Sequence, residues 1–343
     1  MQIVLDSYGT SLSRQNHIFE VCTKDGKKKR VPPEKVSSIL ISKGIVLSSD
    51  ALLLALENQI DVIFTGRSGK PLGRIWNGKF GSIATIRKKQ LLFAQSPQGA
   101  IWIAQWIQRK MKNQLALIYQ LLYGTWIEDS LPSQRKIQTI TQNIAKIDAF
   151  VSQPIPSNWQ ATLRGWEGTS SAYYFNLLSS ALPAQFQFQE RSRPAKDLFN
   201  CLLNYLYGIL YGKVEETLIK VGIDPYIGIF HAEEYAKPVL TYDFIEPYRT
   251  WADTVALRLC LAQAVEVLNH FQPIPQNKGL GIWLNSEGKK VVIQTFNDYL
   301  EEIISQNSLL RSRNTHLFLD AQAFAQTLLK FETTNNQQLT TNN

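Results

Sequence analysis

Residues 85–123 decide how most of this chain folds: TIRKKQLLFAQSPQGAIWIAQWIQRKMKNQLALIYQLLY. Apolar side chains recur every three or four positions on both sides of Ser96-Pro97-Gln98-Gly99, which is the spacing of amphipathic helices. Because proline and glycine interrupt helices, this segment predicts two successive helices that break at the tetrapeptide. From about residue 84 onward the chain is therefore expected to be helical.

The same periodicity predicts further helices downstream. They are expected over Lys136–Phe150, from near Ser157, and over Asp197–Val221, Pro247–Phe271 and Ala321–Phe331. A β-hairpin is predicted between the last two helices, with strands Leu280–Leu284 and Lys290–Ile293 and a turn at Asn285–Gly288.

Upstream of residue 84 the pattern changes to short β-type runs separated by turn residues. One short helix is expected after Ser48 or Ser49, since Leu52, Leu53 and Leu56 form an apolar stripe. The predicted fold class is therefore α+β, with a β-rich domain at 1–83 and a helical domain at 84–332. The strands are expected at Ile3–Leu5, His17–Val21, Ser37–Ile41, Ile45–Leu47 and Asp61–Phe64.

Length and composition bound the class of protein. The 343 residues suffice for about two domains, and residues 333–343 are too polar to bury, so a disordered tail is expected. No apolar run approaches the roughly 20 residues of a membrane-spanning helix. The first residues lack the pattern of a signal peptide, so a cytoplasmic location is expected. Three widely spaced cysteines exclude a disulfide framework.

Charge is distributed unevenly along the chain. The net charge of +8 resides in residues 1–90, which hold 15 Lys and Arg against 7 Asp and Glu; the remainder holds 21 of each. Such an imbalance favours nucleic-acid binding through release of condensed counterions. A solvated hairpin tip and a solvated helix face are the alternative interpretation. The densest runs are Lys27, Lys28, Lys29 and Arg30, and Arg87, Lys88 and Lys89.

Three distant segments, 164–168, 224–231 and 242–249, together contain one imidazole and four carboxylates in apolar surroundings. Their acidic and imidazole side chains include Glu167, His231, Asp243 and Glu246. Oxygen donors with one imidazole suit Mg²⁺ or Mn²⁺ better than a thiolate-preferring metal. In a basic protein, this set indicates metal-assisted chemistry on phosphodiesters.

Each of these residues also has a purely structural interpretation. Glu167 fits a surface position on an amphipathic helix, although Gly165 and Gly168 beside it suggest a close approach to the backbone or tight helix packing. Asp243 and Glu246 fit the N-cap and third positions of a capping box. His231 fits a structural histidine.

Taken together, the segments resemble the CRISPR-associated integrase family, endonuclease-like proteins that insert new spacers into CRISPR arrays. The most specific similarity is Asp224-Pro225-Tyr226-Ile227-Gly228 before His231. The similarity also includes Ser48-Ser49 before a leucine-rich helix, Asp61-Val62-Ile63-Phe64, and Arg193-Pro194-Ala195-Lys196-Asp197 through Asn200, Leu203, Asn204, Tyr205 and Tyr207.

The resemblance implies a β-rich dimerisation domain followed by an all-helical catalytic domain. It places the ligands of a divalent ion, Mg²⁺ or Mn²⁺, on Glu167, His231 and Glu246, with Asp243 as a supporting acidic residue. It also implies a homodimer that joins a small ferredoxin-like partner subunit in a hetero-hexamer on double-stranded DNA. Besides the two basic runs, the expected phosphate contacts are Arg164, Arg191, Arg193 and Arg249.

The implied reaction is attack of a 3′ hydroxyl of incoming DNA on a phosphodiester at the repeat boundary. Two other classes of function remain: a metal-dependent DNase or junction-resolving nuclease, and a DNA-binding subunit whose acidic cluster is structural. For Arg249, an ion pair with Asp253 is the alternative to a phosphate contact.

Overall fold

A computed structural model of the protein describes residues 2–36, 38–58, 60–65, 71–75, 83–231, 235, 237–273 and 281–332. The chain divides into two compact units, Met1–Ile83 and Ala84–Asn343. Each unit has its own apolar core. The segment 333–343, which is expected to be disordered, lies outside the described residues.

In its described residues, the first unit contains two four-stranded sheets and one α-helix. The elements are β1 Gln2–Leu5, β2 Ser11–Gln15, β3 Ile18–Cys22, β4 Lys28–Val31, β5 Ser38–Ile41, β6 Val46–Leu47, α1 Ser49–Glu57, β7 Asp61–Thr65 and β8 Pro71–Ile75. In one sheet the strand order is β1-β5-β7-β8, and in the other it is β4-β3-β2-β6. Five of these strands coincide with predicted ones, and β2, β4 and β8 were not predicted.

Local chemistry explains why the helix of this unit begins where it does. The Ser48 side chain accepts a hydrogen bond of 3.2 Å from the Ala51 backbone N–H, as an N-cap residue does. Leu54 and Ala55 of α1 are buried with Phe19 of β3 in the core of the unit. The capped helix therefore contributes its apolar face to the same core as the sheets.

The second unit is a bundle of helices with two small two-stranded antiparallel sheets. Its first helices confirm the predicted break, because α2 ends at Ala94 and α3 begins at Pro97. The elements are α2 Ile83–Ala94, α3 Pro97–Tyr123, α4 Leu131–Val151, α5 Trp159–Ser180, α6 Leu198–Lys220, α7 Val239–Phe244, α8 Arg249–Leu261, α9 Val267–His270, β9 Phe271–Pro273, β10 Ile282–Leu284, α10 Ser286–Glu301, β11 Ile303–Gln306, β12 Leu309–Ser312 and α11 Arg313–Lys330.

The break between α2 and α3 is built from the tetrapeptide itself. Ser96 caps α3 by accepting a hydrogen bond from the Gly99 backbone N–H at 3.1 Å. A Cβ atom at Gly99 would lie 2.4 Å from the Phe93 carbonyl oxygen, so only glycine fits this close approach. The long helix α3 then contributes Ile107, Lys110 and Gln114 to the site described below.

Two predictions about the carboxyl-terminal half are wrong. Lys290–Ile293 is not a strand but part of α10, whose N-cap Asn285 accepts from the Gly288 backbone N–H at 2.9 Å. The predicted helix Pro247–Phe271 ends at Leu261. Strand β10 pairs with β9 instead, with Leu284 opposite Phe271. Helical periodicity prevailed in α10 because its buried residues, Val292, Phe296 and Tyr299, recur every three or four positions.

The predicted class, α+β with a strand-rich amino-terminal region followed by helices, is confirmed. The two small sheets β9–β10 and β11–β12 are an addition to the expected all-helical second domain. Within the described part of the chain, no helix combines the length and apolar character that crossing a membrane requires.

Candidate active site

The three distant segments meet in one cavity of the second unit, about 410 Å³ in volume. Glu167 comes from α5, His231 from the loop after α6, and Glu246 from a 3₁₀ turn that precedes α8. The polar side chains that line the cavity with them include Lys110, Gln114, Ser171, Arg191, Ser192, Arg193, Asn204, Tyr207, Tyr211 and Arg249.

Asp243 holds the loop that carries His231. Its carboxylate is fully buried and accepts hydrogen bonds from the backbone N–H groups of Ile229 at 2.8 Å, Phe230 at 3.0 Å and His231 at 3.2 Å. The same carboxylate lies 2.5 Å from His231 Nδ1. Because Nδ1 is engaged, the ring presents Nε2 as its available nitrogen.

The capping box that was the structural alternative for Asp243 and Glu246 does not form. Asp243 lies inside α7, Glu246 opens the 3₁₀ turn, and α8 begins only at Arg249 without a side-chain cap. Asp243 therefore satisfies backbone donors of a neighbouring loop rather than those of the helix that follows it. This arrangement agrees with a supporting role for Asp243 beside His231.

Glu246 is a buried carboxylate between two cations. Its Oε1 accepts hydrogen bonds from Arg249, with Nε and Nη2 both at 2.8 Å, and its Oε2 lies 2.6 Å from Lys110 Nζ. Burial opposes ionisation, but the charges of Arg249 and Lys110 outweigh it and lower the pKa of Glu246 to about 2. Glu246 is therefore ionised at neutral pH.

Glu167 shares the same ammonium group. Lys110 Nζ lies 2.5 Å from Glu167 Oε1, which also accepts a hydrogen bond from Ser171 Oγ at 2.8 Å. Lys110 is almost completely buried, which lowers its pKa, but Glu246 and Glu167 outweigh that effect and raise it. The two carboxylates are thus bridged by one buried cation.

The donor chemistry of these residues fits a divalent cation. Two carboxylates and an oriented imidazole face one cavity, and the buried Oε2 of Glu246 has no hydrogen bond of good geometry, only the ion pair with Lys110. Among the described residues, however, no three His, Cys, Asp or Glu side chains converge closely enough to hold a metal ion. The ammonium of Lys110 lies between the two carboxylates instead.

Of the four predicted arginines, Arg191, Arg193 and Arg249 line the cavity, and Arg164 does not. Arg191 is held by Asn200 and, at 2.8 Å, by Asn204, and its guanidinium lies 5.7 Å from the Tyr207 ring centroid. Arg193 is exposed and lines the cavity. Arg164 donates to the Phe230 carbonyl at 3.0 Å, so it supports the loop before His231.

Arg249 does not form the ion pair with Asp253 that sequence offered as an alternative. Its guanidinium binds Glu246 and lies 5.3 Å from the Tyr207 ring centroid, and it lines the cavity. Asp253 instead accepts hydrogen bonds from Tyr207 at 2.7 Å and Tyr174 at 2.8 Å.

Four of the seven cations in the two basic runs form ion pairs, and these pairs use three carboxylates, so both runs keep positive charge. Lys28 and Arg30 both bind the buried Glu20 across β3 and β4, at 3.1 and 2.9 Å. These residues lie in an edge strand, so the predicted hairpin tip is wrong for them. The remaining pairs join Lys27 to Asp25, Arg87 to Asp224, and Lys89 to the Leu329 carbonyl. Lys29 and Lys88 are exposed.

Gly165 and Gly168 do not mediate tight helix packing. A Cβ atom at either position would meet no heavy atom within 4 Å among the described residues. Both glycines are exposed on α5 on either side of Glu167. The backbone beside this carboxylate is therefore accessible from outside.

Sequence reasoning missed Lys110 in this site, and it missed the hydrogen bonds that Tyr174 and Tyr207 donate to Asp253 behind it. A signal existed for Lys110. Buried residues of α3 recur at Ile103, Ile107, Gln114 and Leu117, and Lys110 is the charged residue that interrupts this stripe. A lysine on a buried helical face requires a buried anionic partner.

Comparison with known proteins identifies relatives of this chain and structures that share its fold. A CRISPR-associated endonuclease Cas1 of Archaeoglobus fulgidus is 29% identical over 273 residues, which cover 76% of this chain and 78% of the relative. A casposase bound to an integration product superposes with a TM-score of 0.77 at 20% identity, covering 97% of this chain and 92% of that one.

A Cas1 protein from Thermotoga maritima superposes with a TM-score of 0.74 at 20% identity, over 98% of this chain and all of that one. A chain of a Cas6-RT-Cas1–Cas2 complex gives 0.72 at 21% identity, over 96% of this chain and 35% of that longer one. These structural similarities establish the fold. The family described as CRISPR associated protein Cas1 matches residues 3–298, and the chain therefore belongs to the Cas1 family of CRISPR-associated proteins.

Proposed function

We propose that the chain is a CRISPR adaptation integrase that joins the 3′-hydroxyl ends of new spacer DNA to the CRISPR repeat by direct transesterification. One observation carries the proposal. Glu167, His231 and Glu246, from three segments far apart in sequence, line a single cavity that also presents Arg191, Arg193 and Arg249. Acidic ligands beside guanidinium groups, of which that of Arg193 is exposed, suit a phosphodiester with a divalent cation.

In this proposal Glu167, His231 and Glu246 hold one Mg²⁺ or Mn²⁺. When bound, such a cation stabilises the charge that develops on the phosphate and the leaving oxygen. His231 contributes through Nε2, because Asp243 engages Nδ1 and fixes the ring. Glu246 contributes as an anion, because Arg249 and Lys110 lower its pKa to about 2.

The chain's own residues then orient the DNA. Arg193, exposed at the cavity, and Arg191, held by Asn204 and Tyr207, bind phosphate oxygens on either side of the reacting one. The incoming 3′ oxygen forms a bond to phosphorus as the bond to the leaving oxygen breaks, and the proton passes from the attacking hydroxyl to the leaving group through solvent. The number of phosphodiester bonds is unchanged.

We further propose that double-stranded DNA, a homodimer formed through the first unit, and a small ferredoxin-like partner complete the active assembly in a hetero-hexamer. Two structurally similar proteins support the DNA and the second subunit. One is a casposase bound to an integration product, and another belongs to a complex that includes both Cas1 and Cas2. Lys29 and Lys88, both exposed, are the members of the basic runs proposed as DNA contacts.

A strand-transfer assay tests the proposal. The protein, its small partner, Mg²⁺ or Mn²⁺, a short duplex with 3′ hydroxyls and a plasmid carrying the cognate repeat are mixed, and joined products are measured. His231→Ala and a chelator should each abolish joining. His17→Ala should leave joining unchanged, because His17 is an exposed histidine of the first unit, 3.2 Å from Arg14.

Three results are informative. Joining that disappears with chelator and with His231→Ala supports the integrase. Metal-dependent nicking without joining, given the right partner and repeat, would instead establish a nuclease without an integration role. DNA binding with neither reaction would mean that the acidic cluster is structural.

A further inference from the structure

Lys110 is an unusual side chain in this site, because it is a lysine with only 2% of its surface exposed. Lysines are almost never fully buried unless they are paired with an anion. Here the pairing is double: Nζ lies 2.5 Å from Glu167 Oε1 and 2.6 Å from Glu246 Oε2. The ammonium therefore occupies the space between two carboxylates on different elements, α5 and the 3₁₀ turn.

That space is the one that a divalent cation shared by the two carboxylates would need. Mg²⁺ binds carboxylate oxygens at about 2.0–2.1 Å, so an ammonium that touches the same two oxygens cannot remain beside it unshifted. The charges lead to the same conclusion. Glu167, Glu246, Lys110 and Arg249 sum to zero, and adding two positive charges next to a buried ammonium is repulsive.

We propose that Lys110 is a built-in counter-ion that competes with the divalent metal for Glu167 and Glu246, and so sets the metal affinity of the site. The inference rests on the proposed function, since it takes these two glutamates as metal ligands. In the metal-free protein the ammonium prevents repulsion between the two buried anions. When the metal binds, the ammonium moves aside.

The structure provides room for this movement. Lys110 lines the 410 Å³ cavity together with both glutamates. Its unbranched side chain has four rotatable bonds and a compact charged end, which lets the ammonium turn into the cavity while the backbone of α3 stays in place. A bidentate arginine at this position would be held more rigidly by the carboxylates.

Manganese binding to the DNA-free protein tests the proposal without measuring activity. Free Mn²⁺ is followed by electron paramagnetic resonance for the wild type, Lys110→Met and Lys112→Met. Lys112 is the matched control because it lies exposed on the same helix and donates to Gln108, a neighbour on that helix, at 2.9 Å. Lys110→Met should bind Mn²⁺ about tenfold more tightly or better, because a repelling and competing charge is removed, and Lys112→Met should match the wild type.

Unfolding temperatures form the second arm of the experiment. With a chelator present, Lys110→Met should unfold at a lower temperature than the wild type. Added Mn²⁺ should raise the unfolding temperature of Lys110→Met by more than it raises that of the wild type. Unchanged or weaker Mn²⁺ binding by Lys110→Met would overturn the inference.

A measurement on the wild type covers the case in which Lys110→Met does not fold. Acetylation of individual lysines is followed by mass spectrometry with and without Mg²⁺. Labelling of Lys110 should speed up when Mg²⁺ is present, because the ammonium leaves the carboxylates, while labelling of exposed Lys112 stays constant. A Lys110 rate that Mg²⁺ does not change would refute the movement.

Glu167→Gln separates this inference from the proposed function. If Mn²⁺ binds the wild type and Glu167→Gln equally, Glu167 is not a ligand, and both the metal site and the role of Lys110 fail. If Glu167→Gln weakens binding but Lys110→Met does not strengthen it, the metal site stands and only the competition by Lys110 is wrong.

Discussion

Among single residues, Asp243 connects the most parts of the site. One buried carboxylate accepts from three consecutive backbone N–H groups, Ile229 to His231, and also contacts His231 Nδ1. It therefore fixes both the path of the loop and the orientation of the ring that the loop carries. Such a carboxylate beyond the ligand itself tunes metal affinity in other proteins.

Asp243→Asn should weaken Mn²⁺ binding by about 10–100-fold, because the amide cannot accept at both positions and no longer fixes the ring. It should also destabilise the protein by about 1–3 kcal/mol, because buried backbone donors lose an acceptor. Manganese titration and urea unfolding measure the two effects. The control is Asp148→Asn, an exposed carboxylate that accepts from Gln108 at 2.6 Å. Wild-type binding by Asp243→Asn would contradict the prediction.

Asp253 predicts a pH dependence of stability. Burial raises its pKa from 3.8 to about 6, although Tyr207 and Tyr174 donate hydrogen bonds that oppose the shift. Because the folded-state pKa is the higher one, the contribution of this group to stability is fully present below about pH 3.8 and is lost as pH rises through about 6. Over this pH range the free energy of unfolding should fall by about 3 kcal/mol because of Asp253.

The measurement is the free energy of unfolding of the wild type minus that of Asp253→Asn, between pH 4 and pH 7. The subtraction removes the titration of all other groups. The difference should become less favourable to the wild type up to about pH 6 and then level off. A difference that does not vary with pH would show that Asp253 keeps an ordinary pKa.

At the scale of elements, helix α5 presents the carboxylate of Glu167 on a helix weakened by two exposed glycines. Neither Gly165 nor Gly168 has a neighbour within 4 Å of its missing Cβ among the described residues. Internal packing therefore does not explain these glycines. The sequence suggested two explanations, tight helix packing and close approach of a ligand to the backbone. The second is the one that remains.

Gly165→Ala and Gly168→Ala should each stabilise the protein by about 1 kcal/mol, because alanine favours the helix and meets no clash. DNA binding and strand transfer should fall, because each added methyl group faces the approaching DNA. The matched control is Gly212→Ala on α6, which is also free of clashes but is not next to a predicted metal ligand in the helix. If all three variants gain stability and keep full activity, the glycines of α5 have no role in DNA approach.

Helices and strands were predictable from the sequence where residues at their own ends determine where they start and stop. The Ser96-Pro97-Gln98-Gly99 break follows from capping and a close backbone contact. The segment after Asn285 was ambiguous, since Asn-Ser-Glu-Gly suits both a turn and a helix N-cap, and only the burial of Val292 and Phe296 resolves it as α10. Strand β4 was missed because its charged residues resemble a solvated turn.

The candidate site was predictable in its acidic and imidazole residues and in three of its arginines, but not in its buried lysine. Resemblance indicated Glu167, His231 and Glu246, and the structure brings them to one cavity. Lys110 could not be paired with them in advance, because its partners lie 57 and 136 positions away along the chain. Only the tertiary fold shows which anions face a buried lysine.

At the scale of the whole molecule, the two units have separate apolar cores. Phe19, Leu54 and Ile39 belong to the core of the first unit, whereas Phe199 and Tyr174 belong to that of the second. All the residues around the candidate cavity belong to the second unit. Damage to the first core is therefore expected to leave metal binding intact.

Phe19→Ala should destabilise the first unit by about 3–5 kcal/mol, because Phe19 is completely buried. Hydrogen exchange followed by mass spectrometry should show lost protection in peptides before residue 84, with peptides of α5 and α6 and Mn²⁺ affinity unchanged. Phe199→Ala, equally buried in the other core, should show the reverse pattern. Equal loss of protection in both units from either substitution would mean that they unfold together.

Strand β4, at the edge of its sheet, has a consequence for solubility. An edge strand offers unpaired backbone groups to which strands of other molecules can add, and lysine or arginine on such an edge opposes that addition. Lys28, Lys29 and Arg30 are all exposed on β4, while Glu20 behind them compensates part of their charge. These cations therefore oppose aggregation. Replacing them to remove DNA contacts should let strands of other molecules pair with β4, so that the protein aggregates.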